Sequence, residues 1–381
     1  MKRTMLARFW KILYVSATLI LLSNCKTIGP AVLPQDRYAF NAAMLQSEEQ
    51  QILINLVRMQ YGDRPYFLTV DNITSNTVLN VSSGGSNYNY TAERTNAVGL
   101  ITKTFTNSVG VTSPSASLTE SPTIIYSPLQ GDKFTTQMLT PIQLKNVYLL
   151  VRSGWSLARV LRITTEELGK FQNAMNASRP TSSHVPEYKP FVKMIHYARM
   201  LHLENKIKVR AELINNNFCL SFVFLRKYRH TAQVNKLFSM LWPHENTQHI
   251  NKIIISEKPL PHNSKYKTLV IVTRPYIGLL YYLAKSVQVT PDDIASGRVL
   301  QIKTKDGKPF DWGKVTHGIL TVYISNHRPA NANVVVYYRN HWYYIADNDR
   351  DSKETFALIQ QLFSLQAGDI TKTSPLITVN V

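Results

Sequence analysis

The spacing of apolar residues predicts a long amphipathic helix over residues 36–60. Its apolar stripe consists of Tyr38, Leu45, Ile52, Leu56 and Met59. Asp36 is a favourable N-cap residue, and we expect the helix to end before Gly62 and Pro65. The stripe is expected to pack into the protein core.

A polar, strand-prone stretch follows this helix. Residues 66–127 are rich in Thr, Ser, Asn and Val, and the pattern predicts strands over 78–81 and 97–112. Residues 83–86, with the sequence Ser-Gly-Gly-Ser, are expected to form a loop, and residues 113–122 a connector. We therefore predict a hairpin or a small sheet inserted between helices.

Helical periodicity returns over residues 131–162. Thr140 followed by Pro141 is a start signal, and residues 153–155 are expected to break the helix. A polar loop is predicted over 172–189. A further helix is predicted over 190–204, with Phe191, Met194, Ile195 and Ala198 on its buried face.

The second half of the chain mixes strands and helices. A hairpin is predicted from 207–213 and 218–225, turning at residues 215–217. Further strands are predicted over 253–255, 268–272, 299–303, 319–325, 333–338 and 342–346. Helices are predicted over 231–241 and 276–285, after Thr290, and over 352–365, the last capped by Asp351. The predicted fold class is α+β: N-terminal helices with a small inserted β region, then a mostly antiparallel sheet with flanking helices.

The extreme N-terminus has the pattern of a cleaved signal peptide. Its basic head contains Lys2, Arg3, Arg8 and Lys11 and no acidic residue. The apolar run over residues 12–22 is too short for a transmembrane helix, which needs about 20 residues, but suits a signal peptide, which needs about 7–15. We therefore predict a signal peptide over residues 1–24, with an uncleaved N-terminal anchor as the alternative.

The residues after this run resemble a lipobox. In Leu22-Ser23-Asn24-Cys25, the cysteine would be acylated and become the new N-terminus, although Asn24 departs from the usual small residue. Lys26 in the next position resembles an outer-membrane address. We expect lipid attachment at Cys25, a lipidated tether over 25–35, a mainly helical region over 36–189 with β insertion at about 66–127, and an α+β domain over 190–381.

The charge of the chain favours contact with anionic surfaces. The formal net charge is +19, and removal of the four signal cations leaves +15. For an exported protein these surfaces are anionic envelope components or envelope proteins, and no nucleic acid partner is expected. The tight basic cluster at 226–230 is interpreted as a solvated strand end. Cys219 cannot form an internal disulfide with an acylated Cys25, and we expect it to be buried and inert.

No catalytic motif is recognised in the sequence, and no metal site or cofactor is predicted. The acidic run 347–351 opens like a calcium loop, but Ser352 and Leu358 occupy the positions that need Gly and Glu. The ten histidines are dispersed, without a His-Glu-x-x-His motif. A catalytic triad assembled from distant residues stays open.

One aromatic and basic segment is a candidate partner surface. Residues 337–344 contain Arg339, His341, Trp342 and Tyr344, and such side chains dominate protein interfaces. Tyr and Trp are also strand formers, so alternation in a hairpin would bury half of the segment as core.

Several runs of the chain resemble an uncharacterised family of proteobacterial outer-membrane lipoproteins. These runs are 53–68, 122–129 with Gly131 and Phe134, 153–155, 338–345 with 352–353 and 355–358, and 365–368. The family has no established activity, so the resemblance implies an envelope lipoprotein and transfers no catalytic residue. The hypothesis is therefore a lipid-anchored envelope protein with a structural or binding role, against two alternatives: a hydrolase acting on cell-wall or lipid material, and a secretion-system accessory.

Overall fold

The computed structural model describes residues 28–95, 101–180, 184–261 and 265–367, with side chains over 37–70, 123–180, 184–261 and 265–366. The predicted signal peptide and Cys25 lie outside these residues. The described chain forms two compact units: a hairpin within Leu68–Leu129, and the residues before and after it. Within the described ranges, no helix combines the length and apolarity needed to cross a membrane.

The first helix, α1 (Ile28–Gln60), extends the predicted one toward the N-terminus. Ile52, Leu56 and Met59 are buried, as predicted. The expected core packing of Tyr38 and Leu45 is wrong, because these side chains are 78% and 60% exposed. Only the C-terminal turns of the stripe therefore contribute to the core.

The N-terminal end of α1 differs from the prediction, whereas its C-terminal end agrees with it. Asp36 is not an N-cap, since it lies inside the helix. The C-terminal end agrees: Gly62 has a φ of 75° and accepts the left-handed conformation that follows many helices. Asn55, buried in the last turns, then fixes the exit of the chain by bonding both the N–H and the carbonyl oxygen of Tyr66 (3.0 and 2.6 Å).

The inserted β region is one long antiparallel hairpin of β1 (Leu68–Thr95) and β2 (Ile101–Pro128). The β content of the predicted insertion is therefore present, but two details were wrong. The expected loop at 83–86 lies within β1 and pairs with residues 111–114. The expected connector at 113–122 lies within β2. The ladder pairs these Ser-rich segments with each other, which overrides their turn-like composition.

Three helices follow in the main unit, namely α2 (Asp132–Leu139), α3 (Leu144–Arg152) and α4 (Leu157–Thr164). The predicted break at 153–155 is confirmed, and Gly154 adopts a φ of 102° there. The start signal at Thr140 and Pro141 was wrong. Thr140 ends α2 by donating its N–H to Thr136 (2.9 Å), and Pro141 forms a bridge to Pro275.

A six-stranded sheet forms the centre of the main unit. Its strands are β3 (Thr165–Leu168), β4 (Phe171–Gln172), β5 (Ile207–Ile214), β6 (Asn217–Phe224), β7 (Lys252–Ser256) and β8 (Lys267–Thr273). Their order is β4-β3-β8-β7-β6-β5, and only the β7–β8 pair is parallel. The predicted mostly antiparallel sheet and the 207–225 hairpin are confirmed. Strands on both sides of the predicted boundary at 189/190 join this one sheet.

The helices that flank this sheet include α5 (Lys189–Leu203), α6 (Ala232–Leu241) and α7 (Tyr276–Ala284). The apolar face predicted for α5 is buried at Phe191, Met194, Ile195 and Ala198. The basic cluster at 226–230 differs from its interpretation as a solvated end. Arg229 is buried there and donates a 3.1 Å hydrogen bond to Asn235 and others to the carbonyl oxygens of Thr247 and Ile250.

The C-terminal part contains α8 (Pro291–Ala295), α9 (Gly313–Thr316), β9 (Tyr323–Ser325), β10 (Ala332–Tyr338), β11 (His341–Ala346) and α10 (Arg350–Ala367). Strands β10, β11 and β9 form an antiparallel sheet in that order. The strand predicted over 299–303 is wrong, since a Lys303–Pro309 bridge is the pairing found there. Asp351 does not cap α10: its carboxylate pairs with Arg159 at 2.6 Å, and Asp349 binds the Ser352 N–H at 3.1 Å.

Arg274 joins α4 to the central sheet. Its guanidinium is fully buried and donates to Ser178 Oγ (2.7 Å) and to the carbonyl oxygens of Arg162 (3.2 Å), Thr165 and Asn173. Burial lowers the pKa of Arg274 to about 10. Since buried charge is costly unless it is hydrogen-bonded, this side chain fixes the C-terminal end of α4.

Candidate functional site

The predicted partner segment lies on the three-stranded sheet, with Arg339 at the turn of the β10–β11 hairpin. Arg339 and Asn340 have φ values of 46° and 64°, as expected in a type I′ turn. The Arg339 guanidinium contacts Asp63 Oδ2 at 3.1 Å and lies 5.1 Å from the centre of the Tyr61 ring. Arg339 therefore joins the hairpin to the end of α1.

Strand alternation places two of the other predicted residues, Trp342 and Tyr344, on one side of β11 and separates them from His341. Trp342 packs against Tyr337 with ring centres 4.9 Å apart, and Tyr344 packs against Tyr323 at 5.5 Å. His341 faces the turn, where Nδ1 lies 2.9 Å from the carbonyl oxygen of Arg339. We call Tyr323, Tyr337, Trp342 and Tyr344 the aromatic face.

The opposite side of β11 is core. Tyr343 and Ile345 are fully buried, and the Tyr343 hydroxyl lies 2.7 Å from that of Tyr61. Tyr61 also donates to Asp293 Oδ2 at 2.7 Å. Burial opposes ionisation of Asp293, but hydrogen bonds from Tyr61, Arg298 and Thr290 outweigh it and lower its pKa. The segment thus contributes alternately to core and surface.

A second feature was not predicted, a cleft of about 420 Å³ with many basic residues. We call it the cationic cleft. It is lined by Arg162, Tyr188, Lys189, Val192, Lys193, His196, Lys314, His317 and Gly318. No carboxylate belongs to this lining. Its positive side chains come from α4, from the first turns of α5, and from α9 and the turn that follows it.

Helix α5 supplies the largest share of the cleft. Lys189 and Lys193 are four residues apart and therefore lie on one face of the helix, with His196 one turn further on. Like charges at this spacing destabilise a helix by about 0.2–0.5 kcal/mol, and the sequence of α5 contains no acidic residue to offset them. An external anion would relieve this repulsion.

Arg162 lines the cleft from α4. The Arg162 Nη2 donates to the carbonyl oxygen of Val315 at 3.0 Å, and the Arg162 carbonyl oxygen accepts a hydrogen bond from Arg274. Its Nε is buried without a hydrogen-bond partner in the described chain. The Arg162 guanidinium is therefore held in place and retains an unused hydrogen-bond donor at Nε.

The cleft stays electropositive because its lysines are not neutralised. None of the ion pairs in the described ranges engages Lys189, Lys193 or Lys314. The pKa of Tyr188 is raised first by burial and then by the Asp311 carboxylate, the acidic neighbour felt at this site. Three lysines and Arg162 thus line the cleft with no carboxylate in the lining, and they offer positive charge and hydrogen-bond donors to an anion.

The sequence contained a signal for this cleft. Residues 189–203 include Lys189, Lys193, Arg199 and two histidines without one acidic residue, although these side chains do not form a tight run like that at 226–230. The contributions of Arg162 and Lys314 could not be predicted, because they come from distant parts of the chain.

The two cysteines have different outcomes. Cys25 lies outside the described residues, so its lipid attachment stays a prediction. Cys219 is buried and free, and burial raises the pKa of its thiol.

Within the described ranges, no three His, Cys, Asp or Glu side chains are grouped to hold a metal ion. No protein-family model, curated protein or solved structure matches the chain.

Proposed function

We propose that this chain is a lipid-anchored protein of the bacterial cell envelope that binds phosphate-bearing anions through the cationic cleft. The observation that carries the binding role is the cleft itself, in which Arg162, Lys189, Lys193 and Lys314 converge without a lining carboxylate. A phosphate group accepts several charge-assisted hydrogen bonds at once, which suits such a cluster. The excess of basic residues over the whole chain favours the same class of partner.

The anchor is proposed from the sequence. The basic head, the short apolar run and the Leu22-Ser23-Asn24-Cys25 segment support acylation of Cys25. Stable attachment needs more than one acyl chain, which a triacylated N-terminal cysteine provides. Lys26 supports a location at the outer membrane, facing the periplasm.

Acylation is tested by replacing each cysteine in turn. Cys25→Ala should release the protein into the soluble periplasmic fraction and abolish labelling with radioactive palmitate. Cys219→Ala is the matched control, since its buried side chain cannot accept a lipid, and should leave both readouts unchanged. Palmitate incorporation by the Cys25→Ala protein would disprove the anchor.

The binding role is tested with the full-length lipoprotein purified in detergent. Its affinity for dioctanoyl-phosphatidylglycerol and for dioctanoyl-phosphatidylcholine is measured by microscale thermophoresis. The test variant carries Lys189→Gln, Lys193→Gln and Lys314→Gln. The matched control carries Lys145→Gln, Lys258→Gln and Lys305→Gln, which remove the same charge from exposed positions outside the cleft.

We expect phosphatidylglycerol to bind and phosphatidylcholine to bind at least about tenfold more weakly. The cleft variant should lose at least about tenfold in affinity for phosphatidylglycerol, since each charged hydrogen bond is worth roughly 1.5–3 kcal/mol. Equal loss in the control variant would mean that total charge, not the cleft, determines binding. Glycerol 1-phosphate, run in parallel, distinguishes a free phosphate from a lipid headgroup.

The aromatic face supports a second role, contact with an envelope protein. Tyr337 is 54% exposed, and the Arg328 guanidinium lies 5.5 Å from the centre of the Trp342 ring. Affinity purification from crosslinked envelopes tests this role. The double variant Trp342→Ser and Tyr344→Ser should lose a partner that the wild-type protein recovers in stoichiometric amount; unchanged recovery would disprove it.

A further inference from the structure

A separate cleft of about 350 Å³ lies near the junction of α1, α7 and α9. Lys285, the first residue after α7, lines it together with Gln60, the last residue of α1. Phe310 and Trp312 form an aromatic wall, with ring centres 5.1 Å apart in edge-to-face contact. Apolar lining comes from Val287, Val289, Ile294, Val299 and Leu300.

Lys285 is a buried lysine whose side chain forms no ion pair in the described chain. Its side chain is only 9% exposed, and no hydrogen bond or ion pair within the described chain engages it. Its ammonium group lies 5.4 Å from the centre of the Trp312 ring. Burial lowers its pKa to about 8, so it still carries its proton at neutral pH. A buried charge of this kind is costly unless an opposite charge compensates it.

Gln60 adds an independent requirement. Its Oε1 is buried and accepts no hydrogen bond within the described residues. An amide oxygen can accept but not donate, so a molecule that satisfies it must present an O–H or N–H group. Within one cleft, Lys285 thus favours a negatively charged group and Gln60 favours a hydrogen-bond donor.

The remaining lining limits the charge and shape of the occupant. Asp311 is the carboxylate in this lining, and it forms no ion pair with Lys285, but it would repel a second negative charge on the occupant. A dianionic phosphate would therefore be disfavoured, unlike in the cationic cleft. The volume suits a small molecule, and the aromatic wall favours a flat or apolar body.

We propose that this cleft binds a small monocarboxylate that carries a hydroxyl or amino group on an apolar or aromatic body. The carboxylate pairs with the Lys285 ammonium, and the hydroxyl or amino group donates to Gln60 Oε1. The body of the ligand packs against Trp312 and Phe310. This proposal does not depend on the lipid anchor or on the cationic cleft.

Isothermal titration calorimetry on the full-length protein tests the proposal with three probes: 4-hydroxybenzoate, 3-phenyllactate and phenylalanine. At least one should bind, and its amide analogue, which lacks the carboxylate, should bind at least about tenfold more weakly. No binding of any probe at about 10 mM would overturn the proposal.

Two variants locate the site. Lys285→Met should weaken the binding probe at least about tenfold, and Gln60→Leu about threefold to tenfold. The matched control Lys258→Met removes an exposed lysine outside the cleft and should bind normally. Thermal unfolding of each variant confirms that it is folded. Full affinity in Lys285→Met, with loss in the triple variant of the cationic cleft, would place the ligand elsewhere.

Proton uptake gives a readout that a loss of packing would not change. A bound carboxylate raises the pKa of Lys285, so binding at pH 8 should take up a fraction of a proton. Calorimetry in two buffers with different ionisation enthalpies measures this uptake. It should be absent at pH 6, where Lys285 is already protonated. Equal uptake at both pH values would contradict the assigned contact.

Discussion

At the scale of single residues, the buried cations of this protein have different roles because they have different partners. Arg274 satisfies its guanidinium with carbonyl oxygens and Ser178 Oγ. Lys285 makes a cation–π contact with the uncharged Trp312 ring and lines a cleft. The first arrangement stabilises the fold, whereas the second lowers stability in exchange for a charge that a ligand can use.

Replacement of Lys285 should stabilise the protein at neutral pH. The pKa of its side chain falls from 10.5 to about 8 on folding, and one pKa unit corresponds to about 1.4 kcal/mol. We expect Lys285→Met to raise the free energy of unfolding at pH 7 by roughly 1–3 kcal/mol. Urea denaturation measures this change, with Lys258→Met as the control that should stay within about 0.5 kcal/mol of the wild type.

The pH dependence of this difference has a defined sign. Between pH 8 and pH 10.5 the unfolded chain holds the proton of Lys285 more tightly than the folded protein does. The wild type therefore gains stability with rising pH through this window, and Lys285→Met does not. The stabilisation by the variant should shrink toward zero above pH 10.5. A difference that stays constant from pH 7 to pH 10.5 would show that packing, not charge, causes it.

Replacement of Arg274 should have the opposite effect. Arg274→Met leaves the carbonyl oxygens of Arg162, Thr165 and Asn173 buried without their donor, so we expect a loss of about 3–5 kcal/mol in unfolding free energy. Arg274→Lys should recover little, because an ammonium cannot reproduce the planar fork of a guanidinium. Urea denaturation of these variants is compared with exposed Arg179→Met, which should unfold as the wild type does.

At the scale of elements, local turn chemistry explains which hairpins form. Asn215 and Asn216 have φ values of 50° and 60° between β5 and β6, as a type I′ turn requires. Asn tolerates this left-handed conformation, whereas β-branched residues do not. The same requirement is met at Arg339 and Asn340 between β10 and β11.

Substitutions at Asn216 test this explanation. Asn216→Gly should leave the unfolding free energy unchanged or raise it by a few tenths of a kcal/mol, since glycine adopts positive φ freely. Asn216→Val should lower it by about 1–2 kcal/mol. Thermal denaturation ranks the three proteins. Equal stability of the valine and glycine variants would mean that the left-handed turn does not persist in solution.

Secondary-structure elements could be predicted from the sequence where several local signals agree. They could not be predicted where apolar residues are buried without forming a regular element. The 207–225 hairpin combines alternating strands with an Asn-rich turn, and both signals act within a few residues. The segment over 299–303 is also apolar, but its buried residues Val299 and Ile302 are three apart, a spacing that would place them on opposite faces of a strand. They fill the core from an irregular backbone, because no neighbouring strand pairs with them along this segment. Asp351 was predicted as an N-cap because it precedes the helical pattern. In the structure its carboxylate instead pairs with Arg159, a residue distant in the sequence.

At the scale of the whole molecule, the sequence supports the proposal of an anionic partner but does not locate a binding site for it. Net charge is a sum over residues, so an anionic partner could be predicted from composition. The cationic cleft joins Arg162, Lys193 and Lys314, which are far apart in the sequence. Gln60 and Lys285 are likewise brought together by packing of α1 near α7. The two candidate sites therefore depend on long-range contacts that a local pattern does not encode.

The two clefts should respond differently to salt, because one exposes its charges and the other buries its charge. Lys189, Lys193 and Lys314 are exposed, so mobile ions screen them over a Debye length that shortens from about 10 Å at 0.1 M to about 3 Å at 1 M salt. Lys285 is 9% exposed, and buried pairs are screened much less.

We expect the affinity for dioctanoyl-phosphatidylglycerol to fall at least about tenfold between roughly 0.05 and 0.5 M sodium chloride, and that for the carboxylate probe to fall less than about threefold. Titrations of both ligands into the same protein preparation measure this contrast directly. Parallel losses would place both ligands at exposed charges and would contradict the separate pocket. Salt-insensitive binding of the lipid would instead assign it to apolar contacts, because exposed lysines cannot hold a headgroup unaffected by salt.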